Sequence, residues 1–217
     1  RVAFSKLDET LWSVGADASM DLFTDTVLTV GTDFSDTQRD STRRAFQVVA
    51  PSSLPNGVAL LRPDYLLSGA VIDAFGIGMI ETTESDPAFR AKLRTKAGYV
   101  QVQTELADGL ELSAGARFER GEQDVLPKQV FSTLTNSGAS TSLSEDYLLP
   151  AVTLTWKFRD DMQLRLNASK TLARPQFREL MFQAYFDPES NRSYRGNPLL
   201  VDSEFTNAEA RWEWYFS

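Results

Sequence analysis

The chain has 217 residues, of which 42% are hydrophobic and 24% charged, with a formal net charge of −8. That balance excludes general nucleic-acid binding, because neutralising phosphates needs a basic face. Cysteine and histidine are both absent, which removes disulfide frameworks, thiolate metal sites and every Ser-His-Asp or Cys-His nucleophile system.

No run approaches the roughly 18 apolar residues of a spanning helix. The most apolar stretch, residues 70–80, is broken by Asp73, Gly76 and Gly78. A helical membrane protein is therefore excluded. A transmembrane barrel is not, since its lipid-facing residues occupy alternate positions and keep mean hydropathy low.

In chain order, the sequence predicts seven strands by period-two alternation. The first sets Trp12, Val14, Ala16, Ala18, Met20 and Leu22 against Ser13, Gly15, Asp17, Ser19 and Asp21. The second sets Leu28, Val30, Thr32 and Phe34 against Thr29, Gly31, Asp33 and Ser35, and its polar continuation over residues 37–49 lets it run on. Val100, Val102, Thr104 and Leu106 mark the third, which ends at Asp108-Gly109, a tight-hairpin signal. Leu110, Leu112, Ala114, Ala116 and Phe118 mark the fourth, with Glu111, Ser113, Gly115, Arg117 and Glu119 opposite. Val152, Leu154, Trp156 and Phe158 form the fifth, then Met162, Leu164, Leu166 and Ala168 the sixth. Ala208, Ala210, Trp212, Trp214 and Phe216 form the last.

Short links around Thr24-Asp25, Asp108-Gly109 and residues 159–161 alternate with long ones over 50–92, 122–146 and 173–202. Outer-membrane barrels show this pattern, with short periplasmic turns and long extracellular loops. Phe23, Trp156, Phe158, Trp212, Trp214 and Phe216 then sort to the periplasmic rim, as an interfacial girdle does, while Trp12, Phe34 and Phe118 fall near the other. A soluble or surface-exposed β-sandwich that binds carbohydrate or acts as an adhesin also alternates, and it stands as the second reading. The expected fold is all-β, an antiparallel transmembrane β-barrel segment with long extracellular loops, residues 1–217 belonging to one barrel domain. Seven strands do not close a bacterial barrel, and Arg1 is no initiator. The expectation is an internal piece of a larger barrel.

Residues 149–216 carry a resemblance. The runs LPAV (149–152), NASKTLARPQFREL (167–180) and GNPLL (196–200), followed by a strand ending in Trp212, Trp214, Tyr215 and Phe216, resemble the later barrel strands of TonB-dependent receptors of the proteobacterial branch. Val201-Asp202-Ser203-Glu204 stands where many relatives carry a Pro-Glu pair. The resemblance implies a 22-stranded barrel with an N-terminal plug in the bacterial outer membrane, importing a siderophore, oligosaccharide or similar nutrient. Its implied partners are outer-membrane lipid and lipopolysaccharide, TonB through the missing plug region, and a small-molecule or oligosaccharide ligand. It implies transport, not catalysis, and no cofactor.

The ligand candidates are Arg174, Arg178, Tyr185, Arg192, Tyr194 and Arg195, a cationic and aromatic loop set that suits an anionic siderophore or sugar rings. The competing reading pairs these arginines with Glu179, Asp187 and Glu189, or with lipopolysaccharide phosphates; Arg39, Arg43 and Arg44 invite the same two readings. Asp86-Pro87-Ala88-Phe89-Arg90 predicts a capped helix start, with residues 71–80 packed on it as a strand or helix. Glu81, Glu84, Asp86 and Asp202 are oxygen donors suited to Ca²⁺, but without EF-hand-like spacing no metal is assigned.

Overall fold

The computed structural model describes residues 2–50, 54–55, 57–83, 88–128, 140–182, 184–187 (backbone only) and 189–216. Seven long strands form one antiparallel path: β1 (Val2–Phe23), β2 (Thr26–Val49), β4 (Ala88–Ala107), β5 (Leu110–Lys128), β6 (Thr141–Arg159), β7 (Met162–Ala173) and β10 (Ser203–Trp214). A short β3 (Gly78–Glu81) adds to the tip of β2, and β8 (Ala184–Asp187) pairs with β9 (Arg192–Arg195) as a separate hairpin. No second sheet covers the seven-stranded one among the described residues, which removes the sandwich. In this chain the sheet is open, with β1 and β10 at its two edges.

Away from the turns, the registers between the seven long strands pair odd with odd and even with even positions, for example Val14 with Phe34 and Ala151 with Ser169. Between the short turns and about the middle of the long strands, one face of the sheet is therefore even-numbered and mostly apolar, the other odd-numbered and mostly polar. Trp12, Val14, Met20, Val100, Phe118, Trp156 and Trp212 are all exposed, as side chains in lipid must be when protein alone surrounds them. On the polar face Ser19 bonds Thr29, Ser35 bonds Thr95, and Asn167 donates to Thr153, at 2.6–2.8 Å. Alternate positions thus give the sheet one face for the bilayer and one for a watery lumen.

The turns are built as the sequence predicts. Gly109 takes φ 71°, and a Cβ there would stand 2.7 Å from the Lys157 carbonyl, so the hairpin accepts only glycine without strain. At the same rim Trp156 meets Phe158 at 5.5 Å and Trp214 meets Phe216 at 5.8 Å, while the Trp214 indole donates to Asp161 at 3.0 Å. Thr26 pairs with Thr104, whereas β4 continues to Ala107. The first turn thus stands inside the second, the stagger expected of tilted strands in a barrel.

Three expectations change. β4 begins at Ala88, so Ala88, Phe89 and Arg90 start a strand and not a helix; Asp86 and Pro87 lie outside the described residues. Register pairing with β2 and β5 claims this stretch, Ala88 facing both Thr42 and Lys128. Residues 71–80 divide between the end of α2 (Gly69–Phe75) and β3, after a short α1 (Pro63–Leu66), because Gly76 ends α2 in the left-handed region at φ 61°. The links read as 122–146 and 173–202 also shorten, since β5 reaches Lys128, β6 starts at Thr141, and β8 and β9 fold within the latter.

Candidate functional site

Pro175 ends β7. It offers no N–H and holds Arg174 extended, so the chain leaves the sheet there and turns back over the odd-numbered face. The Gln176 N–H donates to the Glu179 carboxylate and the Glu179 N–H to the Gln176 carbonyl, both at 2.8 Å, closing a tight turn. That turn presents Phe177, Leu180 and Met181 to Phe89 and Ala91 of β4 and Val125 of β5. Leu180 and Val125 are fully buried, the centre of the one hydrophobic cluster found among the described residues. Its location on the lumenal face of the outer strand extensions puts the loop inside the mouth.

Backbone contacts secure this fold. The Gln123 amide donates to the Pro175 carbonyl at 2.9 Å and the Thr141 hydroxyl to the Leu180 carbonyl at 3.3 Å. The Asn197 N–H donates to the Glu179 carbonyl at 2.6 Å, while the Asn197 side chain caps the next turn by accepting from Leu199 N–H at 3.0 Å. Gly196 lies so close that a Cβ would stand 2.0 Å from the Met181 carbonyl and 2.7 Å from those of Arg178 and Glu179. The GNP run is thus explained by close backbone approach and an Asx turn.

Arg174 anchors the loop's first residue electrostatically. Its guanidinium meets Glu119 of β5 at 2.7 Å and Asp202 at 3.6 Å, and stacks over Tyr147 at 6.0 Å. Glu119 also binds Arg117, which holds Asp33 of β2. The result is a row of alternating charges, Asp33–Arg117–Glu119–Arg174–Asp202, crossing the lumenal wall from β2 to the entry of β10. Gly121 makes the crossing feasible: a Cβ on it would fall 2.4–2.9 Å from the Arg174 guanidinium. Below this row, Tyr99, Gln101, Ser113, Gly115, Arg117 and Thr153 line a depression of about 270 Å³ in the wall.

The six predicted loop residues divide. Arg174 is a wall-binding residue whose partners are Glu119 and Asp202, not the loop carboxylates proposed for it. Arg195 stacks over Phe182 at 4.8 Å, and Tyr194 bonds Ser190 at 3.2 Å. Arg192 pairs in register with Asp187, and Tyr185 with Tyr194, on the β8–β9 hairpin; the Tyr185 side chain lies outside the described residues. Arg178 sits in the turn after Phe177. Arg39 pairs with Glu9 at 2.5 Å and lies over Phe177 at 5.1 Å, while Arg44 grips Glu81 in a two-pronged pair. Glu119 and Asp202 are the residues that sequence reasoning does not join to Arg174. Among the described residues no cluster of three or more metal-type ligands forms.

The chain matches the family model described as TonB dependent receptor-like, β-barrel, over residues 4–217. It is similar in fold to the siderophore receptor PiuA from Acinetobacter baumannii, at 10% identity and TM-score 0.54, covering 97% of this chain and 30% of that one. It is also similar to the ferric citrate transporter FecA in its unliganded form, at 15% identity and TM-score 0.52, covering 81% of this chain and 22% of that one. The chain therefore spans less than a third of the length of either structure. No curated protein matches it in sequence.

Proposed function

The chain belongs to the TonB-dependent receptor β-barrel family of the bacterial outer membrane, and from that premise we propose that it is part of an importer of ferric siderophores. One observation carries the reading: residues 174–182 fold onto the lumenal wall, sealed by Phe177, Leu180 and Met181 and tied down by Arg174. A loop in that position controls access to the lumen. Arg178 on this loop and Arg192, Tyr194 and Arg195 on β9 are the groups offered to an incoming ligand. Guanidinium groups suit carboxylate or catecholate oxygens, and rings suit stacking. The names of the two similar receptors support the siderophore class. Energy through TonB, and a plug, belong to the parts of the protein beyond this chain.

The test uses cells expressing the full-length protein, offered radioiron-loaded ferric citrate and a ferric catecholate. Uptake of one of them that stops when the proton gradient is collapsed is the expected result. Uptake of a labelled maltooligosaccharide with neither ferric probe would overturn the siderophore class. Energy-independent entry of all three would overturn the receptor reading itself.

A further inference from the structure

Arg174 breaks the parity of the sheet. By number it belongs with the even, outward-facing residues, yet its guanidinium lies on the lumenal wall against Glu119 and Asp202. The ladder beside it shows how this comes about. β6 pairs with β5 from Trp156 up to Thr141, with Pro150 opposite Ala116 on the way. Its pairing with β7 stops at Ala151 opposite Ser169. Proline offers no N–H for a rung, and β7 parts from β6 at this point, with Ala173 still held to Ser203 of β10.

Above this fork, residues 141–150 of β6 and 170–173 of β7 share no rung among the described residues. A cleft of about 320 Å³ opens at its base, lined by Pro150, Val152, Ala168 and Lys170. Leu148 beside it is 61% exposed and stands in register with Phe118, at the top of the apolar run Leu110 to Phe118. Unpaired strand backbone at the edge of an apolar layer is costly. A state that closes the fork therefore has a gain to set against the loss of the docked loop.

The residues on the two sides of the fork are complementary. Continuing the observed β6–β7 register upward sets Leu149 opposite Thr171, Leu148 opposite Leu172 and Asp146 opposite Arg174. That puts two leucines together on the outward face with an ion pair directly above them, cross-strand pairs that stabilise an antiparallel ladder. Asp146 is half exposed, and its contact with Arg120 is long, 3.9 Å. A second carboxylate for Arg174 thus stands on the outward side of the wall.

We propose that the end of β7 is a strap with two positions. With the mouth loop docked, Arg174 is turned inward to Glu119 and Asp202, and the fork is open. With the loop released, residues 170–174 zip onto β6, Leu172 covers Leu148, and Arg174 turns outward to Asp146. One guanidinium cannot serve both faces, so opening of the mouth and closure of the fork are a single movement between two states. The buried Phe177, Leu180 and Met181 make the docked state the resting one. The device concerns the loop and not its cargo, so it stands whichever ligand is imported.

The test is disulfide trapping in the full-length protein, any native cysteine replaced by serine, with Leu149→Cys and Thr171→Cys introduced together. Only the closed fork brings these partners within disulfide reach. Oxidation with copper phenanthroline, followed by peptide mass spectrometry, should cross-link them slowly. Leu180→Ala, which undocks the loop, should speed the reaction at least tenfold. Adding Asp146→Asn to that variant should slow it about two- to fivefold, the contribution of an exposed ion pair. Leu149→Cys combined instead with Leu172→Cys, one residue out of register and on opposite faces, should stay unlinked. Complete cross-linking with the loop docked, or no acceleration by Leu180→Ala, overturns the coupling of loop and fork. Indifference to Asp146→Asn, or equal linking of the out-of-register pair, overturns the second position and leaves only a loose strand end.

Discussion

Gly196→Ala perturbs the mouth loop at its tightest point. The new Cβ would lie 2.0 Å from the Met181 carbonyl and 2.7 Å from two more carbonyls, all of them backbone atoms that no side-chain rotation can clear. Relieving that overlap costs about 1–3 kcal/mol, as overpacking does. The shift also breaks the 2.6 Å bond from Asn197 N–H to the Glu179 carbonyl, adding about 1 kcal/mol. The loop packs against the wall but is no part of the strand ladder, so the combined cost of about 2–4 kcal/mol falls on loop opening alone. The open population should rise roughly thirty- to several-hundred-fold. Hydrogen exchange of the full-length protein reads this directly: peptides over residues 174–200 should exchange faster by that factor, while β4 to β6 stay protected. Exchange within twofold of wild type, or an equal acceleration along β5, would refute the account of the GNP run.

Leu180→Ala removes the fully buried centre of the same cluster and should destabilise the closed loop by about 2–5 kcal/mol, read as protease cleavage between residues 174 and 200 with unchanged barrel melting. Gly121→Ala should displace the Arg174 guanidinium and loosen the loop by about 1–2 kcal/mol, leaving the apolar cluster intact; its exchange pattern should be reproduced by Arg174→Gln. Glu81 is held at about 2 by the Arg44 guanidinium and the Thr83 hydroxyl. A carboxylate lowered in this way stabilises the fold above its ordinary value and ceases to do so as pH falls through its folded value. Amide protection of β3 should therefore be flat from pH 7 to about pH 5 and be lost on approach to pH 2, and Glu81→Gln should abolish that dependence.

The membrane-crossing part of each strand is legible because the bilayer imposes a strict two-residue period there. Above the bilayer the outward face meets water in place of lipid, and the period disappears. Lys92, Arg94 and Lys96 hide the first half of β4 in this way, so Ala88 to Arg90 reads as a helix start until pairing with β2 and β5 decides it. Asp108-Gly109 is legible because a left-handed turn needs glycine. Arg174 is visible as a loop cation, but its partner Glu119 lies 55 residues upstream on another strand, and the only local sign of the contact is Gly121 on the same face.

The central claim is that even-numbered residues face lipid and odd-numbered ones the lumen. These 217 residues contain no cysteine; in a full-length protein with any cysteine elsewhere replaced by serine, single cysteines placed one at a time along residues 110–118 can carry spin labels. The direct measurement is their collision rate with oxygen, which partitions into bilayers, against that with a water-soluble nickel chelate. The account predicts oxygen maxima at 112, 114 and 116 and minima at 113, 115 and 117. A flat profile, or maxima at the odd positions, would contradict it.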